Sequence, residues 1–155
     1  MKLMITQKLM SLRGRYNITD ENDQTVFSIK GKYTVPKRYD ISDAQGQLIA
    51  QLRAKVFDVF PTYYLYENGE KIGKVKKKFS LFKPKFEIDC NGWQIQGNFL
   101  SWDYKIVDAA GNIIATLSKE IYKVRDVYVM DIVNDEDALR VVQVALAIDL
   151  QKQGE

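Results

Sequence analysis

The chain has 155 residues, 46% of them hydrophobic, enough for one domain (1–155) with a substantial core, and its 23 basic and 20 acidic residues leave a formal charge of +3, too small a bias to demand a polyanionic partner. It contains no histidine and a single cysteine, Cys90. Those two facts exclude an intramolecular disulfide, Ser-His-Asp and Cys-His nucleophilic machinery, and the commonest zinc ligand.

The opening MKLMITQKLM has an apolar core of only Leu3 to Ile5, short of the roughly 7 to 15 residues that a secretory signal needs. A cytoplasmic product is expected, in keeping with the lone thiol. Met4 to Met10 is the first strand candidate. Five hairpin patterns follow, each with period-2 apolar residues around a short turn rich in Asp, Asn and Gly, which tolerate positive φ. Their turns are Glu21 to Gln24, Ala44 to Gly46, Asn68 to Gly69, Asn91 to Gly92 and Ala109 to Gly111. Pro36, Pro61 and Pro84 stand at expected strand edges or connections, where a missing N–H is tolerated. With the run VYVMDI, 127 to 132, the five hairpins and two flanking runs predict 12 strands.

An internal repeat underlies this pattern. YDISDAQGQLIAQL (39–52) and YKIVDAAGNIIATL (104–117) share Tyr, Ile, Asp, Ala, Gly, Ile, Ala and Leu, 8 of 14 positions. Weaker copies place Tyr16 and Ile18 before Asp20, and Phe86 and Ile88 before Asp89, Cys90, Asn91 and Gly92; YYLYENGEKIGKV (63–75) is looser still. So many short antiparallel strands have edges to cover, and closure into a barrel covers them most completely. A barrel of about 12 strands is wider than the roughly eight-stranded size that side chains fill unaided. Its middle needs an occupant.

ALRVVQVALAIDL, 138 to 150, supplies one. Ten of its 13 residues are apolar, yet the run is shorter than the roughly 20 needed to cross a bilayer. At 100° per residue Arg140 and Gln143 fall on one side with Ala147 between them, and the apolar arc of roughly 240° is interrupted only by Asp149. Such a helix requires walls on nearly every side. Asn134 or Asp135 can cap it, Glu136 and Asp137 suit its positive end, and Lys152 with Gly154 suits the other. A helix over about 135–151 is predicted; Val141, Val142, Val144 and Ile148 favour strand, so a strand pair is the alternative.

The tandem hairpins, the YKIVDAAGNIIATLSKE segment and the acidic MDIVNDED leading into the apolar run resemble the LURP-one-related family, kin of tubby C-terminal domains and phospholipid scramblases. The resemblance spans nearly the whole chain and is sharpest over 39–52, 104–121 and 127–150. It implies a mainly β fold, a closed 12-stranded antiparallel barrel threaded by the C-terminal helix. It implies little about function beyond the lipid contacts and scramblase-like activity of those relatives.

Chemistry-bearing candidates are few. EKIGKVKKKFSLFKPKFE places Lys71, Lys74, Lys76, Lys77, Lys78, Lys83 and Lys85 close together. In an extended strand Lys74, Lys76 and Lys78 share one face, with Lys77 on the other beside Val75 and Phe79. Lys74, Lys76, Lys78, Lys83 and Lys85 are the candidate lipid or phosphate ligands; a solvated face or a strand edge guarded by Lys is the simpler reading. Lys30, Lys32, Lys37 and Arg38 form a thinner cluster. Phe79, Phe82 and Phe86 interleave with the lysines, but strand aromatics are more often core and no nucleic-acid motif is matched. Asp131, Asn134, Asp135, Glu136 and Asp137 lack EF-hand spacing, so helix capping is preferred to calcium. Asp43 and Asp108 read as turn formers, Cys90 as an incidental thiol, and Trp93, Trp102, Tyr16, Tyr39 and Tyr104 as packing residues.

No catalytic residue, metal or cofactor is assigned, and no Walker loop, dinucleotide fingerprint or CxxC is present. The expected function is a non-enzymatic cytoplasmic binding module, peripheral at anionic phospholipid or phosphoinositide headgroups. The alternative is a scaffold for an unknown protein partner; scramblase-like activity is a weaker one, resting on fold analogy. Nucleic acid is not an expected partner, and no transmembrane segment is expected.

Overall fold

The computed structural model describes residues 1–5, 15–32, 34–55, 61–82, 85–122 and 125–152. Twelve strands run in chain order: β1 Lys2–Ile5, β2 Arg15–Thr19, β3 Thr25–Lys32, β4 Arg38–Asp43, β5 Leu48–Ala54, β6 Thr62–Glu67, β7 Glu70–Lys78, β8 Lys85–Asp89, β9 Gln94–Asn98, β10 Asp103–Val107, β11 Ile113–Tyr122 and β12 Arg125–Ile132. The helix α1, Ala138–Lys152, follows. Neighbours are antiparallel, and β1 pairs β12, so the sheet curls into a barrel. The first strand lies slightly earlier than the expected Met4–Met10, whose residues from 6 onward lie outside the described ones; so does Pro84.

The repeat is structural as well as textual. Tyr16, Tyr39 and Tyr104, and two residues on Ile18, Ile41 and Ile106, are all buried. In each copy the ladder shifts register at the residue after the isoleucine, between Ile18 and Thr19, Ile41 and Ser42, and Ile106 and Val107. The next residue is then free to turn. Asp20, Asp43 and Asp108 each use Oδ1 to accept two backbone N–H groups, at 2.8 to 3.0 Å. That is the self-bonded turn for which Asp is selected. Three residues on, the backbone is left-handed in every copy, at Asp23 (φ 59), Gly46 (φ 83) and Gly111 (φ 87).

Closure is incomplete at one seam. β8 and β9 are the two ends of the sheet and share no ladder, although the expected turn at Asn91 and Gly92 is present with both residues left-handed. Cys90 and Trp93, the residues flanking that turn, are both buried. Beyond, Phe86 meets the edge of Phe99 with ring centroids 5.0 Å apart, covering the gap with side chains in place of hydrogen bonds.

The helix fills the interior, as the width of the barrel requires. From Val141 to Gln151 every residue is buried. Val141, Val142, Val144, Leu146, Ile148 and Leu150 each gain about 1.5–3 kcal/mol from burial, whereas four β-branched residues cost at most about 0.7 kcal/mol each in helix propensity. Burial outweighs propensity. The polar residues set the rotation. Gln143 Nε2 donates to the carbonyls of Gln51 (3.4 Å) and Tyr66 (3.1 Å), the latter where the β6–β7 ladder slips register, and Gln151 Nε2 donates to Val75 (3.0 Å). On the opposite side, Asp149 accepts from Trp102 Nε1 at 3.1 Å.

α1 starts later than expected. Asp135–Asp137 form a 3-10 turn whose N-cap residue, Asn134, makes no side-chain cap bond. The acidic run therefore serves as a charged approach to the positive helix end, and the Met1 ammonium lies 3.6 Å from Asp135 and donates to the Ile132 carbonyl at 3.0 Å. At the same end the Arg140 guanidinium grips the Glu67 carboxylate in two places, at 2.9 and 3.3 Å, and Asn91 Oδ1 at 2.7 Å.

Candidate functional site

The lysine strand is formed as its alternation predicts. Val75 and Lys77 face inward and are buried, while Lys74, Lys76 and Lys78 project outward from β7. Burial lowers the Lys77 pKa. Directly across on β8 stand Asp89, Glu87 and Lys85, in that order. Lys78 Nζ lies 3.3 Å from Glu87, and Lys71 sits over the Tyr64 ring at 3.9 Å. Four of the five candidate ligands, Lys74, Lys76, Lys78 and Lys85, thus share one strip with two carboxylates. Lys83 lies outside the described residues. The strip keeps a positive balance, since exposed ion pairs offset one another weakly, by about 0–1 kcal/mol.

The aromatics beside these lysines divide. Phe86 packs on Phe99, but Phe79 and Phe82, read from the sequence as core, are 69% and 93% exposed, and Leu81 between them is 78% exposed. β7 ends at Lys78, so the period-2 rule that would bury Phe79 no longer applies. Sequence reasoning missed this tip; its signal is an apolar FSLF set between lysines with Pro84 behind it.

A second basic surface lies on β2 to β4. A groove of about 460 Å³ is lined by Arg15, Ser28, Lys30, Lys32, Asp40 and Ser42 among others. Arg15 stands directly opposite Lys30, and Lys32 opposite Arg38. Asp40 lies 3.8 Å from Lys32 and 3.2 Å from Arg38, which relieves the second of these like-charged pairs.

The barrel's two ends differ in charge. Strands alternate in direction, so links after odd-numbered strands lie at one end and links after even-numbered strands at the other. By sequence, the even links (20–24, 44–47, 68–69, 90–93, 108–112 and 133–137) hold Asp20, Glu21, Asp23, Asp108, Asp135, Glu136 and Asp137 and no Lys or Arg. Among the described residues the odd links hold Lys37 and Lys55 and no acid, and the strand ends that meet them add Arg15, Lys32, Arg38, Lys78, Lys85 and Arg125 against Asp103 alone. A net charge of +3 conceals this separation.

The other candidates are absorbed by the fold. The Asp43 and Asp108 carboxylates are held in their turns, and hydrogen bonds from Asn112 hold Asp108 below its ordinary pKa. Burial raises the Cys90 thiol pKa against the opposing pull of Arg140. Among the described residues no group of three or more His, Cys, Asp or Glu side chains is arranged to hold a metal ion, and no helix is long and apolar enough to cross a membrane.

Comparison with known proteins agrees with the barrel. A family model described as LURP-one-related matches residues 1–149. The chain is similar to the Bacillus subtilis (strain 168) protein named Uncharacterized protein YxjI, 25% identical over 150 residues that cover 96% of this chain and 92% of that one. It is also similar to the X-ray structure of a protein from Arabidopsis thaliana, with a TM-score of 0.67 and 18% identity over 96% of this chain and 90% of the other. At that identity the likeness is one of fold.

Proposed function

This chain belongs to the LURP-one-related family, and we propose that it is a non-enzymatic binding module that docks reversibly on anionic phospholipid surfaces through the lysines of β7 and β8. The observation that carries this reading is the outward strip of Lys74, Lys76, Lys78 and Lys85, standing toward the basic end of a barrel whose other end is acidic. Asp89 and Glu87 stand across from Lys74 and Lys76 within this strip, so four ammonium groups face two carboxylates and a positive balance remains. Each basic residue near an anionic surface contributes about 1 kcal/mol of attraction, which the two carboxylates of the strip reduce to a weak, reversible association. The acidic end, repelled by the same surface, orients the barrel. Two other features fit a binder better than an enzyme: the carboxylates of Asp43 and Asp108 are taken up by turns, and Cys90 is a buried thiol.

The test is cosedimentation of the full chain with vesicles at physiological salt. Phosphatidylcholine vesicles containing phosphatidylserine retain the protein, and phosphatidylcholine alone does not. Changing Lys74, Lys76 and Lys78 together to Glu lowers that retention by about tenfold or more. Binding that ignores lipid charge, or survives the triple change, removes the reading. A stoichiometric protein captured from native lysate without lipid would favour a scaffold in its place.

A further inference from the structure

The exposed apolar side chains of this barrel are larger in number and more exposed at one end than at the other. Phe79, Leu81 and Phe82 belong to the link after β7, Leu100 to the link after β9 and Val35 to the link after β3, while Ile121 lies near the close of β11. All six are therefore at the odd-link end, the basic one, with exposures from 54% for Leu100 to 94% for Val35. The acidic end carries Met1, Leu48, Ile113 and Val133 at 42% to 61%. Phe86 on Phe99 places the 3-10 turn that holds Leu100 beside the base of the β7–β8 link. Phe79, Leu81 and Phe82, three large exposed apolar groups on one short link beside Lys76, Lys78 and Lys85, form the kind of patch that marks an interaction site. Water is an unfavourable neighbour for it and a polyanionic solute would leave it uncovered. A surface with phosphate outside and hydrocarbon just beneath satisfies both the lysines and the phenylalanines.

We propose that the barrel docks end-on, with Phe79, Leu81 and Phe82 entering the headgroup–acyl boundary of an anionic bilayer while Lys76, Lys78 and Lys85 hold the headgroups above them. Leu100, on the neighbouring 3-10 turn, flanks the contact. This deepens the preceding reading and rests on it. It replaces attraction from a distance with shallow insertion and fixes which end of the molecule meets the membrane.

The experiment places a reporter at the tip of the full chain. Trp93 and Trp102 are buried, so an added Phe82→Trp supplies the exposed emission, and Leu48→Trp does the same at the acidic end. With phosphatidylcholine–phosphatidylserine vesicles, Phe82→Trp shifts to the blue and is quenched by lipids brominated on the acyl chains; Leu48→Trp is not. Phe79→Ser with Phe82→Ser, changes at exposed positions that leave the fold intact by circular dichroism, lower vesicle affinity at least tenfold and abolish the part of binding that survives high salt. Anionic vesicle binding with no quenching of Phe82→Trp overturns insertion and leaves surface docking standing. Failure to bind anionic vesicles overturns both. A dimer that the two Ser changes dissolve, with no quenching by lipid, assigns this end to a second copy of the chain and overturns the proposal.

Discussion

The Trp102 indole N–H donates to the Asp149 carboxylate at 3.1 Å, tying the residue before β10 to the last turns of α1 inside the barrel. The Trp102 ring also lies 4.8 Å from that of Tyr128 and 6.2 Å from that of Tyr104. A carboxylate in this setting is stabilising only while hydrogen bonds hold it. Asp149→Ala, which leaves a buried N–H without this acceptor, is expected to cost about 2–3 kcal/mol, and Asp149→Asn, which keeps an oxygen there, clearly less. Urea denaturation checks the order; equal midpoints for the two variants would show that the bond does not anchor the helix.

At the opposite pole of the helix, Arg140 joins Glu67 to Asn91 and so ties the β6–β7 turn to the β8–β9 turn at the seam. The pair is partly exposed, and solvent reduces its contribution, so a double-mutant cycle of Arg140→Gln with Glu67→Gln is expected to give coupling of about 1 kcal/mol. The more telling consequence is local. Amide exchange near Asn91 should quicken in Arg140→Gln while exchange in β3 and β4 stays as it was.

Burial raises the pKa values of Cys90, Tyr39, Tyr63 and Tyr104, with Asp149 adding to the last. Each group favours its neutral form when folded. Their stabilising effect is fully present below the unfolded pKa values, about 8.5 for Cys and 10 for Tyr, and is lost as the pH rises past them. The urea midpoint should fall between pH 8 and pH 10.5, and Cys90 should react with a thiol reagent at pH 8 far more slowly than free cysteine. A midpoint that rises over that range would contradict the assignment.

Asp23 occupies the left-handed position that Gly46 and Gly111 fill in the other two copies of the repeat. Asp23→Gly is expected to stabilise by about 0.5–1 kcal/mol, and Gly111→Ala to destabilise by about 1 kcal/mol, because a Cβ is disfavoured at that φ. Thermal unfolding of both variants measures it. A Gly at 23 that lowers stability would mean that its side chain makes up for the strained backbone.

Much of this architecture is written locally. Alternation of apolar residues, the Tyr-x-Ile-x-Asp spacing and the left-handed turn residues each act within a few positions, so strand number, hairpin pairing and the three matching turns are legible before any coordinate is known. The need for a central helix is legible too, since barrel width follows from strand count. The lysine alternation on β7 is local in the same way. What the sequence leaves open depends on residues distant in the chain. Whether Gln143 faces β5 and β6 or Asp149 faces Trp102 is decided by which carbonyls and indole the closed wall presents, over separations of 92 and 47 residues. The seam between β8 and β9 leaves two strands without a ladder although the turn that joins them is formed, and no pairwise propensity encodes that. The segregation of acid, base and exposed hydrocarbon between the ends needs both the residues and the winding: only an up-and-down topology sends every other link to the same rim, turning a modest average charge into two unlike faces.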